Sequence, residues 1–219
     1  MKKHLPPCKA QGTRSNKRGV ILKKTLIYIH GKGGSAEGAE RYKPICPDYE
    51  VIGAEYDGSF PSAAQVGIKE AYDKAEGEVT LLTESIGTYF AMHTLQKEKI
   101  KKALFISPIL DMEKLILDMM SWANVSEEML KKKSEIKTNF GETLSWDYLC
   151  FVREHPISWS VPTDILYAEK DNLTSINTVN DFAARHGSAV TVMKNGEHWF
   201  HTKEQLAFLD KWLLSSINR

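Results

Sequence analysis

The stretch Val79-Thr80-Leu81-Leu82-Thr83-Glu84-Ser85-Ile86-Gly87-Thr88-Tyr89-Phe90 decides the fold. A β-rich apolar run ends at a serine framed by small residues two before and two after it, and a helix-like run follows. A tight strand-to-helix turn of this kind holds a serine in strained backbone geometry, its hydroxyl above a sheet and its backbone at a helix N-terminus. The frame departs from G-x-S-x-G at its first small position, where Thr83 stands. A β-branched residue crowds such a turn more than glycine does. Read alone, the motif fits a helix N-cap at Ser85 equally well.

Upstream, Leu26-Ile27-Tyr28-Ile29-His30-Gly31-Lys32-Gly33-Gly34-Ser35 is a strand running into a glycine-rich loop. Such a loop presents bare backbone N–H groups, and one from Lys32 with one from Ile86 would make an oxyanion hole. The spacing fits neither G-x-x-x-x-G-K-[ST] nor G-x-G-x-x-G, so a phosphate site is the weaker reading. Downstream, the strand Asp164–Ala168 runs into Glu169-Lys170-Asp171-Asn172. Asp171 stands where a carboxylate can turn over the sheet edge and orient an imidazole. Glu169 is its alternative, Asp164 sits at the wrong end of the strand, and an aspartate after a strand also serves as a turn residue. Last comes Val192-Met193-Lys194-Asn195-Gly196-Glu197-His198-Trp199-Phe200-His201. Asn-Gly signals a turn, and His198 on the loop beyond it suits a general base. His201 is the rival, three residues on and at the start of the final helix.

Outward from these four points the pattern is strand and helix in alternation, which predicts an α/β protein with a mostly parallel sheet. Strands are expected at Thr25–Ile29, Glu50–Glu55, Glu78–Thr83, Lys102–Ile106, Asp164–Ala168 and Ala189–Met193. Their continuous hydrophobicity suits burial on both faces. Helices are expected at Ser62–Lys74, Gly87–Lys97, Ser175–Ala184 and Thr202–Ile217. Between Pro108 and Pro162 no strand is evident, and three helix-like stretches follow one another: Met112–Trp122, Ser126–Ile136 and Thr143–Val152. We read residues 109–160 as a helical cap over the carboxyl edge of the sheet, where such sheets bind ligands.

With 219 residues, 42% hydrophobic and 26% charged, the chain has the size and composition of one globular domain. The net charge of +1 gives no general reason to expect nucleic acid as a partner. Eight Lys/Arg and no acid fall in residues 1–24, against 21 basic and 28 acidic residues in the rest. That segment is expected to be a poorly ordered basic extension, with the domain proper at 25–219. It lacks the apolar core of a signal peptide, and no run is long enough to span a membrane, so the expected location is the cytoplasm. Cys8, Cys46 and Cys150 are odd in number and far apart, which speaks against a disulfide framework or a zinc site. No metal is expected.

Glycine loop, serine, aspartate and histidine thus occur in order, each where a predicted strand ends. Over Thr25 to about Asn218 the chain resembles the α/β-hydrolase superfamily. His30-Gly31-Lys32-Gly33-Gly34 is similar to its H-G-x-G-G oxyanion loop, Thr83-Glu84-Ser85-Ile86-Gly87 to its nucleophile elbow, and the Asp171 and His198 segments to its acid and histidine loops. The resemblance implies a serine hydrolase of carboxylesterase type, with an acyl-serine intermediate, no cofactor, and a small-molecule ester or thioester as substrate. A catalytically inactive binding protein on the same fold, or an acyltransferase or peptidase using the same triad, are the alternatives. Met119, Met120, Trp122 and Trp199 are candidate pocket residues, and short- to medium-chain acyl esters are the expected substrates.

Overall fold

The computed structural model describes Met1 and residues 23–219. Six strands form one sheet: β1 (Lys24–Ile29), β2 (Glu50–Gly53), β3 (Glu78–Glu84), β4 (Lys102–Ile106), β7 (Thr163–Lys170) and β8 (Ala189–Glu197). Their order is β2-β1-β3-β4-β7-β8, and every neighbouring pair is parallel. All six strands expected from the apolar runs are present. β1 begins at Lys24, the last residue of the expected extension; residues 2–22 of that extension, with Cys8, lie outside the described residues.

The helices α1 (Pro61–Lys74), α2 (Ile86–Leu95), α6 (Ile176–His186) and α7 (Lys203–Ile217) alternate with the strands. Alternate strand residues face opposite sides of the sheet, and each side has its own core. Ile27, Ile29, Leu81, Phe105 and Ile165 pack with Ile68, Phe90 and Phe182 on one side. Leu26, Leu82, Leu104 and Leu166 pack with Leu209, Trp212 and Leu213 of α7 on the other. No helix among the described residues is long and apolar enough to cross a membrane.

Between β4 and β7 lie α3 (Met112–Trp122), α4 (Glu127–Lys133), β5 (Glu135–Lys137), β6 (Thr143–Ser145) and α5 (Trp146–Glu154). The expected helix over Ser126–Ile136 is therefore cut short, and the stretch from Thr143 starts as a strand. The cause is local: Ser134 takes φ 62, which no helix continues through, and the chain turns into an antiparallel hairpin. Gly141 at φ 88 makes the turn, and the Thr138 N–H and hydroxyl both donate to the Glu142 carbonyl at 2.8 Å.

The second departure is at Asn195-Gly196. These residues do not end β8; Asn195 adopts φ 58 and the ladder resumes beyond it, pairing Glu197 with Lys170. The turn signal marks a β-bulge. Its effect is positional, because the residues after that pair, Asp171 and His198, leave the sheet side by side.

Candidate active site

Ser85 follows the last residue of β3 with φ 49 and ψ −125, a conformation that costs a non-glycine residue about 1–3 kcal/mol. Its surroundings enforce it. The Ser85 N–H donates to the Ile106 carbonyl at 3.0 Å, and the Ser85 carbonyl accepts from Thr88 and Ile109 at 3.1 and 3.0 Å. A side chain at Gly87 would stand 2.2 Å from the His30 carbonyl oxygen, so only glycine lets α2 begin against the end of β1. The crowding expected from Thr83 is resolved by pairing: it is fully buried, and its hydroxyl lies 2.7 Å from that of Thr88. The hydroxyl that glycine would lack is thus satisfied within the turn.

Glu84, next to the serine, is held from the opposite face of the sheet. The Tyr28 and Tyr42 hydroxyls donate to its two carboxylate oxygens at 2.9 and 2.7 Å. Burial and the facing carboxylate push both phenols well above their usual pKa, so they stay protonated donors.

His198 and Asp171 come from the adjoining ends of β8 and β7. The His198 Nε2 lies 2.8 Å from Ser85 Oγ, and its Nδ1 lies 2.7 Å from Asp171 Oδ2. An ionised carboxylate only accepts, so Nδ1 carries the hydrogen and Nε2 is left to accept from the serine hydroxyl. The Asp171 side chain is fully shielded from solvent, and its other oxygen accepts the N–H groups of Leu173 and Thr174 at 2.8 and 3.0 Å. Thr174 in turn donates to the Pro108 carbonyl at 3.0 Å and accepts from Tyr167 at 3.0 Å, which ties the acid-bearing loop to the loop after β4.

Gly31 sits beside the serine, since a Cβ there would meet Ser85 Cβ at 3.1 Å. The N–H groups of Lys32 and Ile86 take no partner among the described residues. The rivals lie elsewhere. His201 bonds the Trp199 carbonyl at 2.7 Å, Glu169 accepts the Asn195 N–H at 2.7 Å, and Asp164 pairs with Lys102 at 3.0 Å at the far end of its strand.

A cleft of about 1180 Å³ opens over Ser85. Met119 and Trp122 line it, as expected, but Met120 and Trp199 do not. Met120 turns into the core and is 3% exposed, whereas Trp199 is 76% exposed and lies against His201. Sequence reasoning missed Tyr56 and Phe60, in the loop following β2, and Phe90, Phe140 and Tyr148, which also line the cleft. The loop position was the available signal for the first two, because every parallel strand delivers its following loop to this edge. Tyr56 stacks on His30 with ring centroids 4.4 Å apart, and Phe60 meets Tyr148 edge-on at 5.2 Å. Burial raises the pKa of both Tyr56 and Tyr148, keeping the walls uncharged.

Among solved structures, the α/β hydrolase domain-containing protein 10 of mouse superposes with a TM-score of 0.73 over 89% of each chain, at 17% identity. The fold is that of the α/β-hydrolases. Two further examples of this fold are Est1E from Butyrivibrio proteoclasticus (TM-score 0.68, 12% identity, 93% of this chain and 92% of that one) and an esterase of Pyrococcus furiosus (TM-score 0.56, 18% identity, 90% and 81%). No protein-family model matches the chain. No curated protein matches it either. The segment between β4 and β7 lines the cleft with residues of α3 and of the β5–β6 hairpin. Among the described residues no group of three or more His, Cys, Asp or Glu is placed to hold a metal ion. Burial pushes the Cys46 thiol up to about 11, which leaves it protonated and inert at neutral pH.

Proposed function

We propose that this α/β-hydrolase-fold protein is a serine hydrolase that cleaves carboxylic esters through an acyl-serine intermediate. The observation that carries this reading is the unbroken hydrogen-bonded chain Ser85–His198–Asp171, at 2.8 and 2.7 Å, opening on the cleft. Ser85 Oγ attacks the substrate carbonyl while His198 Nε2 takes its proton. Buried Asp171 stabilises the imidazolium, and the Lys32 and Ile86 N–H groups hold the oxyanion, each such donor contributing about 3 kcal/mol in comparable sites. His198 then protonates the leaving alkoxide. Water enters and adds to the acyl carbon as His198 takes its proton; the acyl–Oγ bond then breaks, His198 returns that proton to Ser85 Oγ, and the carboxylic acid leaves.

The cleft supports an uncharged acyl substrate. Much of its lining is aromatic and aliphatic, and among the described residues its Lys, Arg, Asp or Glu side chains are those of Lys32, Glu135 and Glu142. A structure of Est1E with ferulic acid bound gives one example of an aromatic carboxylic acid held on this fold. Labelling with a fluorophosphonate, followed by peptide mapping, tests the reading. We expect one adduct on Ser85, none in Ser85→Ala, and turnover of p-nitrophenyl esters highest for short to medium acyl chains. Absence of any label would point to a binding protein that retains the fold. Transfer to an added alcohol in preference to water, or cleavage of a peptide panel, would mark an acyltransferase or a peptidase.

A further inference from the structure

The oxyanion loop raises a mechanical problem. Three of the four residues Gly31–Gly34 lack side chains, and one backbone hydrogen bond, from the Gly34 N–H to the Gly31 carbonyl at 3.1 Å, closes it. Gly33 stands at φ 78 with no atom within 4 Å of where a Cβ would be. Glycine carries the largest backbone entropy of any residue. A donor that stabilises a transition state must nevertheless be held close to its working position.

The His30 ring at the end of β1 holds the first residue of the loop, its Nδ1 lying 2.8 Å from the Gly31 carbonyl; beyond that, Lys32 is the one residue of the four with a side chain by which a distant element can hold the loop. It is used. Lys32 Nζ reaches both carboxylate oxygens of Glu142, at 2.6 and 2.5 Å, across the mouth of the cleft and 110 residues along the chain. Glu142 is itself anchored: its carbonyl accepts both the N–H and the hydroxyl of Thr138, and its N–H donates back to that hydroxyl at 3.0 Å. The hydrogen-bonded turn of the cap hairpin therefore holds the glycine-rich loop through one ion pair.

We propose that Glu142 is a positioning residue for the oxyanion loop, so that the cap sets the place of the Lys32 N–H while touching neither the substrate carbonyl nor the triad. The inference rests on the hydrolase reading above. Both partners are solvent-exposed, with side chains 67% and 39% accessible, so the coupling is modest and sensitive to salt. An exposed pair of this kind changes a rate by up to about fivefold, the factor that 1 kcal/mol makes at about 1.4 kcal/mol per tenfold.

The test is a charge swap read on two scales, the rate of fluorophosphonate labelling of Ser85 and the kcat and KM for a p-nitrophenyl ester. Glu142→Gln should lower the labelling rate and kcat by about three- to fivefold, a loss within the range of an exposed pair. KM should move little, and most of the dependence of kcat on added NaCl should vanish. Lys32→Glu should do at least as much damage, and Lys32→Glu with Glu142→Lys together should recover most of the loss. A mere fold defect would not be repaired by the swap. If the swap fails to rescue, or if Glu142→Gln raises KM with kcat intact, the positioning role is wrong and the pair belongs to substrate binding or to the surface. If the wild-type protein takes no label at all, the hydrolase reading falls, and this inference with it.

Discussion

Replacing Thr83 by valine asks whether the unusual elbow is a defect or a working alternative. The substitution keeps the shape and removes one oxygen, leaving the fully buried Thr88 hydroxyl without the partner it has at 2.7 Å. An orphaned buried hydroxyl costs about 1–3 kcal/mol. For a chain of 219 residues each kcal/mol lowers Tm by about 2–4 °C, so Thr83→Val should melt about 2–12 °C below wild type. Thr88→Val should cost a similar amount. The double variant, with no hydroxyl left to satisfy, should be far less damaged than the two losses added together, a coupling of about 1–3 kcal/mol. Thr83→Gly, which makes the frame G-x-S-x-G, adds to the orphaned hydroxyl about 1 kcal/mol of backbone entropy. It should therefore lose about 2–4 kcal/mol in total, with no gain in kcat. Thermal and denaturant unfolding, together with ester turnover, measure all four variants. Additive losses in the double variant, or a Thr83→Gly protein more stable and faster than wild type, would refute the reasoning.

Asp171→Asn should cut kcat by about 10⁴-fold while leaving the fold intact, since an amide in place of the carboxylate favours the wrong imidazole tautomer; stopped-flow or endpoint ester assays with a circular dichroism control check it. Trp122→Ala should raise KM about fivefold for medium-chain esters, a loss of about 1 kcal/mol of contact. Trp199→Ala, outside the cleft, should change KM by less than about twofold, as surface changes usually do, and equal effects from the two would misplace the cleft. His93 is half-buried beside His155, and that partial burial, with the second imidazole, depresses its pKa below the usual value. The unfolded chain binds that proton at higher pH than the folded one, so stability is full above the ordinary imidazole range and falls as pH drops through it. Tm measured from pH 8 to pH 5 should decline less steeply in His93→Gln than in wild type; parallel curves would sink this assignment.

Strand endings were legible because a parallel strand is an apolar run that stops where the chain meets solvent, and the four glycine, serine, aspartate and histidine segments all lie at such stops. What brings His198 to Asp171 was not legible. It depends on a bulge at Asn195 that lets Glu197 pair with Lys170, and Asn-Gly reads the same whether it ends a strand or buckles one. The hairpin of β5 and β6 was hidden for a similar reason. Glu135–Lys137 has helix-forming neighbours, and only the left-handed backbone of Ser134 turns it away. Met119 and Met120 could not be told apart, since α3 is apolar on more than one side and the packing of the cap decides which of two adjacent methionines meets the cleft.

The segment between β4 and β7 also has a consequence for how the cleft can change. It is the crossover from β4 to β7, which run parallel, so the chain must pass through it to return to the start of the next strand. Leu130, Leu144, Leu149 and Trp159 from this segment lie in the same apolar core as Ile27, Leu81 and Phe105 of the sheet. Such a segment is no detachable lid: removing it, or hinging it open as a rigid body, would expose the centre of the molecule. What lies outward of that core is the hairpin tip at residues 138–142, where Phe140 is 41% exposed and a side chain added at Gly141 would meet open space. Sequence change at this five-residue rim would therefore leave the apolar core beneath it untouched, and its cost would fall on the Lys32–Glu142 contact instead.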